Sequence, residues 1–121
     1  GSAVTCVMEG SRPMLVEIQA LVAPTPFGTP RRMPTGLDYN RMLLIMAVLE
    51  KRAGMPLYNQ DTYLNVAGGL RLDEPSADLA VAAALISSFV NVPLDEHAAY
   101  IGEVGLTGEV RPVSNAERRV A

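Results

Sequence analysis

From Ala77 to Val90 the chain reads ADLAVAAALISSFV, and nearly every residue in it is small or apolar. A helix of that composition has no polar face to offer water, so it belongs in the interior with other elements packed around it. Its limits are marked: Asp73, Pro75 and Ser76 form a start signal, and Asn91 and Pro93 a stop. A chain of 121 residues has room for one domain around such a helix, and residues 1–121 are read as one. With 49% hydrophobic residues and only 5% aromatic, its core is aliphatic.

The flanking segments supply the packing. Residues 4–9 (VTCVME) and 14–22 (MLVEIQALV) read as two strands joined by a turn over Gly10, Ser11, Arg12 and Pro13. In the second, Leu15, Glu17 and Gln19 alternate with Met14, Val16, Ile18 and Ala20. Residues 23–36 (APTPFGTPRRMPTG) hold four prolines and two glycines and read as a long loop. Residues 38–53 form a helix, with Thr35 or Asp38 as its cap, Lys51 and Arg52 in its last turn, and Gly54 and Pro56 ending it. Residues 61–67 (DTYLNVA) read as a strand, followed by Gly68 and Gly69, where the backbone turns or approaches a neighbour closely. Ala98–Glu103 reads as a further strand, and Thr107-Gly108 as a tight turn into Val110. The chain stops at Ala121 inside SNAERRVA, which reads as the first turns of a helix capped by Ser114, so the domain is expected to continue past it. Hairpin strands followed by alternating helices and strands predict an α/β (α+β) fold, with a mixed sheet and a buried central helix.

Residue inventory narrows the chemistry. The single Cys6 excludes an internal disulfide and a cysteine metal cluster. No apolar run reaches the 18 or so residues of a membrane span, and no basic-then-apolar leader opens the chain, so a soluble, cytoplasmic protein with no membrane contact is expected. A formal net charge of −3 argues against nucleic-acid binding by bulk charge and confines any such contact to a local basic patch. The chain has one lysine, Lys51, and one histidine, His97, so a serine nucleophile has few bases to draw on.

Ser76 sits where backbone N–H groups and the positive end of a helix favour a developing oxyanion. Serine is equally an ordinary helix-start residue. Lys51 stands beside Glu50 and Arg52 at a helix end, and His97 lies in DEHAAY with only Asp95 and Glu96 beside it. Glu74 and Asp78 place negative charge where an oxyanion would form. There is no phosphate-loop motif, and carboxylates at a helix start serve the dipole before they serve a metal, so no metal and no cofactor are assigned to this chain. Arg31 and Arg32 stand together in the proline-rich loop, Arg41 follows in the first helix, and no acidic residue intervenes from Ala23 to Leu37. Such a cluster suits phosphate oxygens through bidentate contacts. Solvated loop arginines or a contact to a neighbouring subunit account for it equally well. Arg111, Arg118 and Arg119 form a weaker group, paired with Glu109 and Glu117.

Several segments carry a resemblance. EPSADLA resembles the stretch around the catalytic serine of Lon proteases, and GEVGLTGEVRPVSNAERRV the Lon segment that follows it. More closely, EGSRPMLVEIQALV, PRRMPTGLDYNRMLLIMAVLEKRAG, NVAGGLRLDEPSADLA and GEVGLTGEVRPVSNAERR are similar to the C-terminal domain of the RadA (Sms) family of DNA repair and recombination proteins. The resemblance runs collinearly along the whole chain and implies a Lon-protease-like fold lacking its last strand and helices. It implies a hexameric, ATP-driven motor for DNA branch migration, in which this domain is a non-proteolytic scaffold for the ring that also contacts single-stranded or branched DNA. The family's zinc finger and RecA-like ATPase, which hold zinc, ATP and magnesium, are absent from this chain. Ser76 falls on the Lon serine position, and the Lon lysine position is read as Glu117. The resemblance therefore implies a vestigial serine without its lysine. Arg31, Arg32 and Arg41 are the expected contacts to DNA phosphates or to a neighbouring subunit. The rival expectations are a residual hydrolase using Ser76 with His97 as base, and a scaffold that never touches DNA.

Overall fold

A computed structural model of the chain describes residues 1–9, 11–26, 28–72, 74–94, 98–108 and 110–111. Strands β1 (Ser2–Glu9) and β2 (Arg12–Pro24) form an antiparallel hairpin in which Thr5 faces Val16 and Ala3 faces Ile18. β3 (Arg32–Thr35) leads into helix α1 (Tyr39–Arg52), and β4 (Gln60–Val66) then enters between β2 and β3. β4 runs antiparallel to β2 and parallel to β3, with Tyr63 opposite both Leu21 and Met33. The sheet is mixed, as expected, with order β1-β2-β4-β3.

One face of this sheet carries the core. Along β2, Val16, Ile18 and Ala20 are buried while Leu15, Glu17, Gln19 and Leu21 are exposed, the period-two pattern of a half-covered sheet. Thr62, Leu64 and Val66 of β4 face the same interior. Helix α2 (Asp78–Val90) lies over β1 and β2, burying Ala80, Val81, Ala84 and Leu85. Beside it α1 buries Met42, Ile45, Met46 and Leu49. The expectation that α2 is covered on all sides needs correction: Ile86 is 37% exposed and Val90 51%, because α2 rests on one sheet and one helix and turns its far side outward.

The helix ends follow their local chemistry. Of the two candidate caps for α1, Asp38 performs the role, accepting the Arg41 N–H on Oδ2 at 3.0 Å. α2 ends at Asn91, in the left-handed conformation at φ 57°.

The stretch 23–36 is not wholly a loop, and this is the largest departure from the sequence expectation. β2 runs on to Pro24, and residues 32–35 form β3 at the edge of the sheet. Its Pro34 lacks an N–H, which an edge strand tolerates and a central strand does not. The expected turn over residues 10–13 is shorter, since Arg12 and Pro13 belong to β2. The expected strand over 98–103 reduces to a bridge from Ala99 to Val4, followed by β5 (Glu103–Val104). β5 pairs antiparallel with β6 (Val110–Arg111), the hairpin expected around Thr107 and Gly108. No helix among the described residues is long and apolar enough to cross a membrane.

Candidate functional site: the serine turn and the arginine loop

After Gly69 the chain passes beside the segment that follows β3, where Leu72 N–H donates to Gly36 O at 2.7 Å. It then makes a tight 3-10 turn over Pro75–Ala77 that runs into α2. Ser76 lies in this turn, as a helix-start residue should, and is only 3% exposed. Its hydroxyl donates to Glu74 Oε2 at 2.8 Å. Gly102 fixes the turn from the other side, donating to Ser76 O at 2.9 Å and accepting from Leu79 N at 3.1 Å.

Two residues further on, Asp78 opens α2 with its side chain 2% exposed. Arg41 reaches across from α1 and binds it side-on, Nε donating to Oδ1 at 2.8 Å and Nη2 to Oδ2. The Val104 N–H of β5 adds a third bond to Oδ2 at 3.1 Å, and Glu103 Oε2 stands 3.7 Å from Arg41 Nη2. The bond to Asp78 raises the Arg41 pKa above its ordinary value, against the opposing effect of burial. Arg41, Asp78 and the β5 backbone form a junction of three elements. Above it opens a cavity of about 280 Å3 whose polar lining comes from Asp38, Arg41, Arg71 and Glu74.

Chemically this is a poor site for acyl transfer. A carboxylate is a weaker base for a serine hydroxyl than the lysine or histidine that serine hydrolases use. Glu74, bonded to the Ser76 hydroxyl, opposes negative charge developing beside it, whereas the Asp78 charge is compensated by Arg41. Lys51, the chain's one lysine, is exposed in the last turn of α1. His97, Asp73 and Glu117 lie outside the described residues.

The three arginines expected to act together are placed in different settings. Arg41 belongs to the Asp78 junction. Arg32 turns inward, where Nη2 donates to Leu57 O at 2.9 Å and Nη1 donates to Gln60 O, so the guanidinium closes the turn before β4. Arg31 is exposed. The acid-free surroundings read from the local sequence are not acid-free in space. Asp61, the second residue of β4, accepts Arg31 N–H on Oδ1 at 2.8 Å and Thr25 Oγ1–H on the same oxygen at 3.0 Å. These bonds, led by that from Arg31 N–H, hold the Asp61 carboxyl below its ordinary pKa, and the charges of Arg31 and Arg32 act in the same direction. Neither Asp61 nor Glu103 was legible as a partner of an arginine, since each lies 29 or more residues away along the chain and only the folded topology joins them.

A mixed sheet backed by two helices, with a serine in the turn that opens the buried one, defines the class. The chain belongs to the family of the Lon protease (S16) C-terminal proteolytic domain, which matches residues 47–120. Within that class it is similar to bacterial proteins named DNA repair protein RadA. It is 62% identical over 120 residues to those of Halalkalibacterium halodurans and Bacillus subtilis. It is 59% identical over 120 residues to that of Listeria monocytogenes. Each match covers 99% of this chain and 26% of the relative, so the chain spans about a quarter of the length of the curated relatives it matches.

Proposed function

We propose that this chain is a non-proteolytic scaffold and DNA-contact domain of a RadA-type protein acting in DNA repair. The observation that carries the first half is the Ser76 hydroxyl, buried and bonded to Glu74. In a fold whose hydrolytic members use that serine as nucleophile, a carboxylate in bonding distance works against the reaction. What remains of use is the fold itself, and the name shared by the relatives supplies the process. In the full-length protein, self-association into a hexameric ring, ATP hydrolysis and branch migration of recombination intermediates would involve segments beyond this one. ATP, magnesium and zinc would be held there.

Arg31 carries the DNA half. Arg31 is exposed, and among the described residues it is the member of the expected trio whose guanidinium internal bonds do not absorb. A single domain neutralises few phosphates, so its own binding is weak and strongly salt-dependent, and several copies in a ring multiply it through effective concentration. A second reading, a scaffold without DNA contact, is favoured by the outer face of the sheet. There Leu21, Tyr63 and Met33 form an apolar row across three strands, and Glu17 and Asp61 on the same face repel phosphates.

The deciding experiment compares the wild type with Arg31→Ala by light scattering and by titration of labelled single-stranded DNA at low salt. Arg32 is left alone, because its removal frees the carbonyls of the 57–60 turn. Loss of binding at constant mass supports the DNA contact. A change in mass with no DNA binding in either protein supports the pure scaffold.

A further inference from the structure

Thr25 and Arg31 stand at the two ends of the proline-rich loop, and both are fastened to the start of β4. Thr25 N–H donates to Asn59 O at 3.0 Å, and Thr62 N–H donates to Arg31 O at 2.8 Å. Between these backbone bonds Asp61 Oδ1 accepts from the Thr25 hydroxyl at 3.0 Å and from Arg31 N–H at 2.8 Å. One carboxylate oxygen therefore clamps the mouth of the loop. Because both side-chain bonds end on the same oxygen, the acceptor function and the negative charge are separable: an asparagine keeps the first and removes the second.

We propose that Asp61 is a positioning residue for Arg31, fixing the backbone from which Arg31 meets the phosphates of single-stranded DNA while its charge holds that contact weak. The inference rests on the reading of Arg31 as a DNA contact. The clamp sets the geometry by fixing the Arg31 N–H, and the charge sets the strength by placing a carboxylate at the Arg31 backbone, on the residue that phosphate would approach. An arginine held weak in one copy makes binding depend on several copies acting together.

The test uses the 121-residue chain as wild type, Arg31→Ala, Asp61→Asn and Asp61→Ala, with two readouts. The first is titration of a labelled oligothymidine at several salt concentrations. The second is the rate of tryptic cleavage after Arg31, which reports whether the loop mouth is closed and is independent of DNA. Asp61→Asn is expected to keep wild-type resistance to trypsin and to bind about two- to fivefold more tightly, the size of an exposed charge effect. Asp61→Ala is expected to be cut faster and to bind more weakly than Asp61→Asn. Arg31→Ala is expected to lose affinity and to lower the salt slope by about 0.7, one single-strand phosphate. Asp61→Ala and Asp61→Asn behaving alike in both readouts overturns the positioning role while leaving the Arg31 contact standing. Arg31→Ala binding as wild type overturns the contact itself and the proposal with it, even where Asp61→Ala is cut faster.

Discussion

Arg41 and Asp78 meet fork to fork across the gap between α1 and α2, the arginine side chain 28% exposed and the aspartate side chain 2%. The pair is a structural tie rather than a surface ornament, because Asp78 also receives the Val104 N–H and so joins β5 to both helices. Arg41→Ala leaves a buried carboxylate with one backbone donor. The expected loss is about 2–4 kcal/mol, at the lower end for a broken buried pair because Arg41 is partly solvated. Urea unfolding of Arg41→Ala, Asp78→Ala and the double variant checks it. The double variant should cost clearly less than the two singles summed, and simple additivity would show that the pair is not coupled.

Ser76 is expected to stay unmodified by a serine-reactive fluorophosphonate, because its hydroxyl is buried and turned to Glu74. Ser76→Ala should cost about 1 kcal/mol, the net worth of one hydrogen bond, and leave oligomeric mass and DNA binding unchanged. Mass spectrometry of the probe-treated chain reads the result. An adduct that appears in the wild type and vanishes in Ser76→Ala would establish a working nucleophile and favour the hydrolase reading.

The Thr5 and Thr62 hydroxyls are buried on the core side of β1 and β4, and neither has a hydrogen-bond partner among the described residues. Each bears a desolvation penalty without a compensating bond. Valine has the same branched shape and suits a strand, so Thr62→Val and Thr5→Val are each expected to stabilise the fold by about 1 kcal/mol. Thermal melts decide the matter. A lower melting temperature would mean that a water serves the hydroxyl and that the threonine is retained for that bond.

The clamp at Asp61 should respond to acid. Its carboxyl titrates below its ordinary value because it accepts from Arg31 N–H and Thr25 and lies near the charges of Arg31 and Arg32. A depressed folded-state pKa gives stabilisation that is complete above the unfolded value and is lost as pH falls through the folded one. Amide-exchange protection at Arg31, normalised to the intrinsic rate, is therefore expected to hold at neutral pH and to collapse below the usual carboxylate range. Asp61→Asn should show no such step. A step of equal size in that variant would assign the acid response to another group.

How far the sequence could be read depended on the range of the interaction involved. Period-two alternation located β2 and its buried face, and the α1 limits came from Asp38, Lys51, Arg52 and Gly54, all local signals. β3 was missed because four residues holding a proline give no alternation to detect, and the strand exists only by pairing with β4, whose Thr62 faces Arg32. The arginines looked alike in sequence and separated in space for the same reason. Arg32 alternates inward with Pro34 along β3, and Arg41 meets an acid 37 positions away. Ser76 was legible as a helix start, and its bond to Glu74 two residues earlier was the one part of the site within reach of local reading.

Glycines offer the sharpest contrast between turning and close approach. Gly68 and Gly69 turn, at φ 80° and 70°, with open space where a Cβ would stand. A close approach in a left-handed turn is at Gly36, φ 82°, where a Cβ would lie 2.4 Å from Leu70 O and 2.9 Å from Val66 Cβ. Gly36 O also accepts the Leu72 N–H, the bridge that carries the chain toward the Ser76 turn. Gly68→Ala is therefore expected to cost about 1–2 kcal/mol, the left-handed penalty alone. Gly36→Ala bears that penalty plus a clash with backbone that cannot rotate away, and should cost about 3–4 kcal/mol in all. Urea unfolding of the two variants side by side isolates the contact. Equal losses would mean that the Leu70 carbonyl yields, and that the hydrogen bond from Leu72 to Gly36 is not what holds the serine turn in place.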